Sequence, residues 1–128
     1  MKLIAGLTAI VVALVVGAAI WSGSTAGAVG GSGTVRIVMD DTQFSPNRID
    51  AKVGVPLLVQ LVNQGSERHD FAIPSLHMPG LQGFEASTEP SQTTTFSLRF
   101  DAPGTHEFLD PDPGHASAGM TGAIFVSP

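Results

Sequence analysis

No cysteine occurs anywhere in this chain of 128 residues. Disulfide bracing is therefore excluded, and so is any metal site that depends on a thiolate. Basic residues are few, six Lys and Arg against eleven Asp and Glu, for a formal net charge of −5. Arg36, Arg48, Lys52, Arg68 and Arg99 are scattered rather than clustered, which excludes a nucleic-acid face. The mild acidity suits solubility better than recognition of a partner. Beyond residue 30 there is no sustained helical periodicity, no internal repeat, no Gly-rich phosphate loop and no nucleophile elbow serving a Ser/His/Asp set. No enzyme is expected.

The longest apolar run is at the start. Lys2 precedes "LIAGLTAIVVALVVGAAIW" (Leu3 to Trp21), and the small residues "SGSTAGA" follow. This is the layout of an export signal, with "AGA" at Ala26 to Ala28 as a cleavage site. As a helix, residues 3–21 would also reach roughly 30 Å, enough to span a bilayer core. Cleaved signal and retained anchor both remain open for residues 1–28. Lys2 favours the N-terminus inside and the folded part outside. Residues 29–34 read as a flexible tether and residues 35–128 as one folded domain, small enough that its core must suffice without cross-links.

That domain carries strand signals. In "TVRIVMDD", Val35, Ile37 and Met39 share one face. "FSPNRIDAKVG" is extended but interrupted by Pro46, and "VPLLVQLVNQG" reads as a buried strand ending in a turn at Asn63 to Gly65. "RHDFAIP" is a short strand closed by Pro74, and "SLHMPGLQGFEASTEPSQ" reads as a looser region. "TTTFSLRF" alternates again, with Phe96, Leu98 and Phe100 on one side, before the turn "DAPG". The strand "THEFL", the loop "DPDPGHASAGM" and the strand "TGAIFVSP" complete the chain. Seven or eight short strands at this spacing predict an all-β, antiparallel Greek-key sandwich.

Three segments, in order, resemble one family: "HDF" at His69 to Phe71, "APGTHEF" at Ala102 to Phe108, and "PGHASAGMTG" at Pro113 to Gly122. Residues 35–126 are similar to the cupredoxins, the plastocyanin- and azurin-like sandwiches that hold mononuclear copper. The resemblance implies a copper site. By position, His69 is the first ligand, His115 the second imidazole and Met120 the axial thioether. The family's thiolate, five residues before the second His in loops ending "PGH", falls here on Asp110. A blue site depends on a short Cu–thiolate bond. A carboxylate is a harder donor that favours Cu(II), lowers the reduction potential and removes the intense sulfur-to-copper absorption. The implied set is His69, Asp110 and His115, with Met120 or water completing it. Zn(II) would accept the same two imidazoles and carboxylate.

On the residues alone, each has a plainer reading. His69 could be an edge-strand residue satisfied by backbone, His115 an exposed loop residue and Met120 core filling. "DPDPG" is good turn chemistry, so Asp110 could simply shape the turn. Asp112 is a second possible oxygen donor, and Asp70 could orient an imidazole or face solvent. His77 and His106 are of copper-binding type but are left outside the site.

The expected function is an exported, periplasmic or extracytoplasmic cupredoxin-like protein with a non-blue Cu(II) site, for copper carriage or slow electron transfer. A monomer is expected, with a redox or copper-transfer protein as partner and no membrane contact beyond residues 3–21. The alternative is a sandwich that has lost its metal and serves as a binding or structural module. A catalytic copper centre is disfavoured, since no second ligand cluster is present and a dinuclear site would need two loop cysteines.

Overall fold

The computed structural model describes residues 33–128 apart from Pro79, and omits the side chains of Met78 and Leu81. The expected leader or anchor and most of the tether lie outside the described residues. No helix among the described residues is long and apolar enough to cross a membrane.

Among the described residues, nine strands and one helical turn follow in order: β1 (Gly33–Met39), β2 (Phe44–Ser45), β3 (Arg48–Lys52), β4 (Leu57–Asn63), β5 (His69–Met78), β6 (Leu81–Thr88), β7 (Thr93–Leu98), β8 (Gly104–Leu109), α1 (His115–Ala118) and β9 (Thr121–Ser127). They form two sheets, ordered β2-β1-β4-β7 and β3-β9-β8-β5-β6. The all-β sandwich expected from the strand spacing is therefore present. Its sheets are mixed rather than purely antiparallel. β1 runs parallel to β4, from Gly33 opposite Leu57 to Met39 opposite Asn63, and β3 runs parallel to β9. The reason lies at Pro46. β2, just before it, stays on β1, while β3, just after it, joins the opposite sheet beside β9. Parallel neighbours need long crossovers, and the route between the two sheets supplies them.

Two further readings are corrected. Pro74 does not close the strand that begins at His69. β5 continues to Met78, with a register shift against β6 between Ile73 and His77. Proline removes a ladder donor, which interrupts this pairing without ending it. The stretch read as loose supplies β6, which lies at the edge of its sheet. A single helical turn, His115–Ala118, also forms within the last loop.

Alternation decides what faces inward. Ile37 and Met39 of β1, Leu57, Val59 and Leu61 of β4, Phe71 and Ile73 of β5, and Phe108 of β8 are all buried between the sheets. Phe44, Phe71 and Phe108 meet at one end of this core, with centroid distances of 5.7, 5.3 and 4.8 Å. Offset and edge-on contacts of this kind add to the stabilisation from area burial. The same period of two that turns Phe71 and Phe108 inward turns His69 and Asp110 inward as well. Both sit directly beyond the aromatic cluster.

Phe108→Ala removes the ring shared by two of those contacts. It should lower the unfolding free energy by about 3–5 kcal/mol, read from the denaturant midpoint at unchanged slope.

Candidate metal centre

β5 and β8 are neighbours, with Ala72 opposite Leu109, so the start of one strand meets the end of the other. This places His69 beside Asp110. The loop after β8 then returns His115 to the same point. His115 N–H donates to Asp112 O at 3.1 Å, Met120 N–H to His115 O at 3.2 Å and Asp110 N–H to Met120 O at 3.1 Å. Gly114 adopts a left-handed conformation, φ 91°, at the start of the helical turn that carries His115. Pro113-Gly114 therefore presents His115 as the sequence suggests, but inward rather than at a free tip: its side chain is only 19% exposed.

The centre is one carboxylate oxygen. Asp110 Oδ2 lies 3.0 Å from His69 Nδ1 and 2.8 Å from His115 Nδ1, and it accepts the Asp70 N–H at 3.3 Å. Asp110 Oδ1 accepts the Asp112 N–H at 3.0 Å. The side chains of His69 and Asp110 are fully buried. The two imidazoles meet at an angle of 60°, with centroids 5.1 Å apart.

The outer nitrogens of both rings also face carboxylates. His69 Nε2 donates to Asp41 Oδ1 at 3.0 Å, and His115 Nε2 lies 3.3 Å from Glu67 Oε2. Neither acid stands out in the sequence. Asp41 follows β1, and only the parallel pairing of β1 with β4 brings it to the turn that leads into β5. A local acidic pair, "DD", was the sole available signal. That turn is built by buried Asn63, whose amide donates to Glu67 O at 2.7 Å and Thr88 O at 2.9 Å while its oxygen accepts the Gly65 N–H at 2.8 Å.

The remaining candidates have other partners. Asp70 does not touch an imidazole with its side chain. It pairs with Arg68 at 3.1 Å, and Arg68 also reaches Asp112 at 3.4 Å. Asp70, Asp110 and Asp112 form a second close acidic group, already met by that guanidinium. Met120 is fully buried in the hydrophobic core and tied by its backbone to both Asp110 and His115. His77 donates to Ser75 O at 2.9 Å, and His106 Nδ1 lies 2.9 Å from Ser75 Oγ. Both stand apart from the His69–Asp110–His115 group.

Those three residues offer donor atoms within 4.8 Å of one another. Donors 2.8 and 3.0 Å apart suit adjacent positions around a metal held at about 2.0–2.2 Å. Two imidazole nitrogens and a carboxylate oxygen fit Cu(II) or Zn(II) and suit Cu(I) poorly.

A two-sheet sandwich with two histidines and a carboxylate converging at one end makes a candidate metal-binding sandwich. The cupredoxin-like domain family matches residues 10–124, and the chain belongs to that family. The structure is similar to auracyanin B, at 19% identity and a TM-score of 0.65, covering 83% of this chain and 96% of that one. It is similar also to the dithionite-reduced auracyanin of the photosynthetic bacterium Roseiflexus castenholzii, at 19% identity and a TM-score of 0.67 over 77% and 100%. Auracyanin A of Chloroflexus aurantiacus, described as a blue copper protein, matches at 15% identity and a TM-score of 0.61 over 73% and 98%. A multicopper oxidase matches at 17% identity and a TM-score of 0.61, over 79% of this chain but only 46% of the oxidase. No curated protein matches by sequence.

The charges give the metal-free protein a definite pH response. Burial pushes the Asp110 carboxyl upward, but the Asp112 N–H, His115, His69 and the Asp70 N–H outweigh it and leave the pKa below 3.8. Hydrogen bonds from the Ser66 hydroxyl and from His69 bring Asp41 down to about 2. The hydrogen bond to Asp110 raises His115 above its ordinary 6.5. The stabilisation from the depressed carboxylates is complete above their unfolded values and fades as pH falls through the folded ones. The stabilisation from His115 is complete below 6.5 and is lost as pH rises through its folded value. The thermal midpoint of the metal-free chain should therefore be highest between about pH 4 and 6.5 and fall on both sides. In His115→Ala the decline on the alkaline side should disappear.

Proposed function

We propose that this protein is an exported mononuclear copper protein with a non-blue Cu(II) site that His69, Asp110 and His115 would hold, with Met120 or water as the further donor. The observation that carries the reading is the convergence of both Nδ1 atoms on Asp110 Oδ2, in the only His-containing donor group among the described residues. Bound copper would supply one-electron exchange between Cu(II) and Cu(I). The chain's own contribution is to hold two imidazoles and one buried carboxylate in place and to keep bulk water from His69 and Asp110. With oxygen where the family has sulfur, Cu(II) is favoured over Cu(I), so the reading is copper carriage or slow electron transfer rather than fast shuttling.

The similarity to auracyanins covers nearly all of those chains, whereas the oxidases are matched over less than half. This supports a carrier rather than an enzyme. The apolar run at residues 3–21 supports delivery outside the cytoplasm, cleaved or anchored, with a redox or copper-transfer protein as partner.

One observation favours the alternative of a metal-free structural module. Asp110 meets the Asp70 and Asp112 N–H groups and both imidazoles without any ion. Copper titration with EPR and visible spectroscopy separates the two. The carrier reading expects one Cu(II) per chain, a wide copper hyperfine splitting and no intense visible band, with binding lost in His115→Ala. Asp110→Cys should convert the site to one with intense sulfur-to-copper absorption. No uptake beyond that of His115→Ala assigns the protein to the structural alternative.

A further inference from the structure

His69 is held from two sides. Nδ1 faces the buried Asp110, and Nε2 faces Asp41, which lies on the loop between β1 and β2. Asp41 is itself fixed. Its Oδ1 accepts the Ser66 N–H at 2.8 Å, and its Oδ2 accepts the Ser66 hydroxyl at 2.7 Å. The loop that carries it is fixed as well. Asp40 Oδ1 accepts the N–H groups of Thr42 and Gln43 at 2.8 and 2.9 Å, and Asp40 N–H donates back to Gln43 O at 3.1 Å. Gln64 N–H donates to Met39 O at 2.8 Å, pinning the Asn63–Gly65 turn against the end of β1.

Gly65 leaves the room for this contact. A Cβ there would overlap Asp41 Oδ1 and lie 2.8 Å from His69 Nε2. No side chain but hydrogen fits while the carboxylate and the ring remain together. The arrangement at His115 is looser, because Glu67 stands 3.3 Å from Nε2 and its side chain is 67% exposed.

We propose that Asp41 is the positioning residue of His69: by accepting the Nε2 proton it fixes the ring's orientation, and it holds that proton on Nε2 when Nδ1 gives up its own to bind a metal. A ring that gives its Nδ1 lone pair to a metal must carry its proton on Nε2, and Asp41 Oδ1 is the acceptor in line with that proton. An anionic acceptor also raises the donor strength of Nδ1, which a hard, divalent ion rewards more than a soft, monovalent one. The proposal rests on the copper reading for its metal consequence and on geometry alone for the positioning.

The test uses the full chain in mild detergent, with Asp41→Ala, Asp41→Asn and Gly65→Ala as variants. Removing an outer partner of a ligating imidazole should weaken Cu(II) binding about 10–100-fold. The Cu(II) EPR spectrum of Asp41→Ala should change at the same time. Asp41→Asn keeps an oxygen acceptor without the charge and should recover part of the affinity. Gly65→Ala forces the pair apart and should follow Asp41→Ala. Wild-type affinity with an unchanged EPR spectrum in Asp41→Ala would overturn the proposal, as would an Asp41→Asn variant no better than Asp41→Ala.

A copper-free readout keeps the two ideas separable. In the metal-free chain the His69 Nε2 nitrogen and its proton should give a slowly exchanging NMR signal that Asp41→Ala abolishes. If the wild type takes up no copper but shows that signal, the copper reading fails and the positioning stands. If the signal is the same in both proteins, the positioning itself is wrong.

Discussion

Asp110 stands fully buried at the closed end of the sandwich, and both imidazoles turn toward one of its oxygens. A carboxylate taken out of water costs several kcal/mol unless its lone pairs are satisfied and its charge is met. Here the two backbone N–H groups of Asp70 and Asp112 and the two ring nitrogens meet that requirement together. Remove Asp110, and two imidazoles would face each other across an apolar floor with no shared acceptor. Remove either histidine, and a buried charge would lose one of its hydrogen-bond partners. The positions of His69 and His115 and the path of the loop all answer to this single group.

The sandwich supports that group by geometry more than by chemistry. β5 and β8 are far apart in sequence, yet their pairing at Ala72 and Leu109 sets the separation of His69 and Asp110. Phe44, Phe71 and Phe108 pack against one another and are themselves buried. The loop from Asp110 to Met120 is joined at both ends by its own backbone hydrogen bonds, so His115 is carried by a short braced arc rather than by a free tip. Sites held by strands and tied loops keep their donors in place without help from an ion.

Much of this was legible in the residues, for reasons that can be named. Alternation over Val35 to Met39 and over Phe96 to Phe100 marks half-buried strands, and the order of the "HDF", "APGTHEF" and "PGHASAGMTG" segments ties His69 to Asp110 and His115. What depends on distant pairing was not legible. The parallel partnership of β1 with β4 leaves no local trace, so Asp41 could not be connected with His69. Pro74 reads as an ending because a proline usually ends a ladder, yet β5 passes through it by a shift in register. The Gly- and Ser-rich residues after it read as loop although they form an edge strand, where weak intrinsic preference is overridden by pairing. On sequence alone, Asp70 reads as an imidazole partner or as a solvent-facing residue. Its engagement by Arg68, two residues away along the chain, depends on where β5 becomes buried on both sides.

Charge balance carries the argument one step further. Around His69 and His115 stand three carboxylates, Asp41, Asp110 and Glu67, whereas Asp70 and Asp112 are met by Arg68. With both rings neutral, as ligation requires, the immediate site is anionic even before a fourth donor is considered. An anionic pocket of nitrogen and oxygen donors stabilises a dication over a monocation, by both electrostatics and donor hardness. On the copper reading, the Asp110 oxygen donor and the carboxylates behind the two imidazoles act in the same direction. On that reading, Asp41, Asp110 and Glu67 work together as one Cu(II)-favouring site.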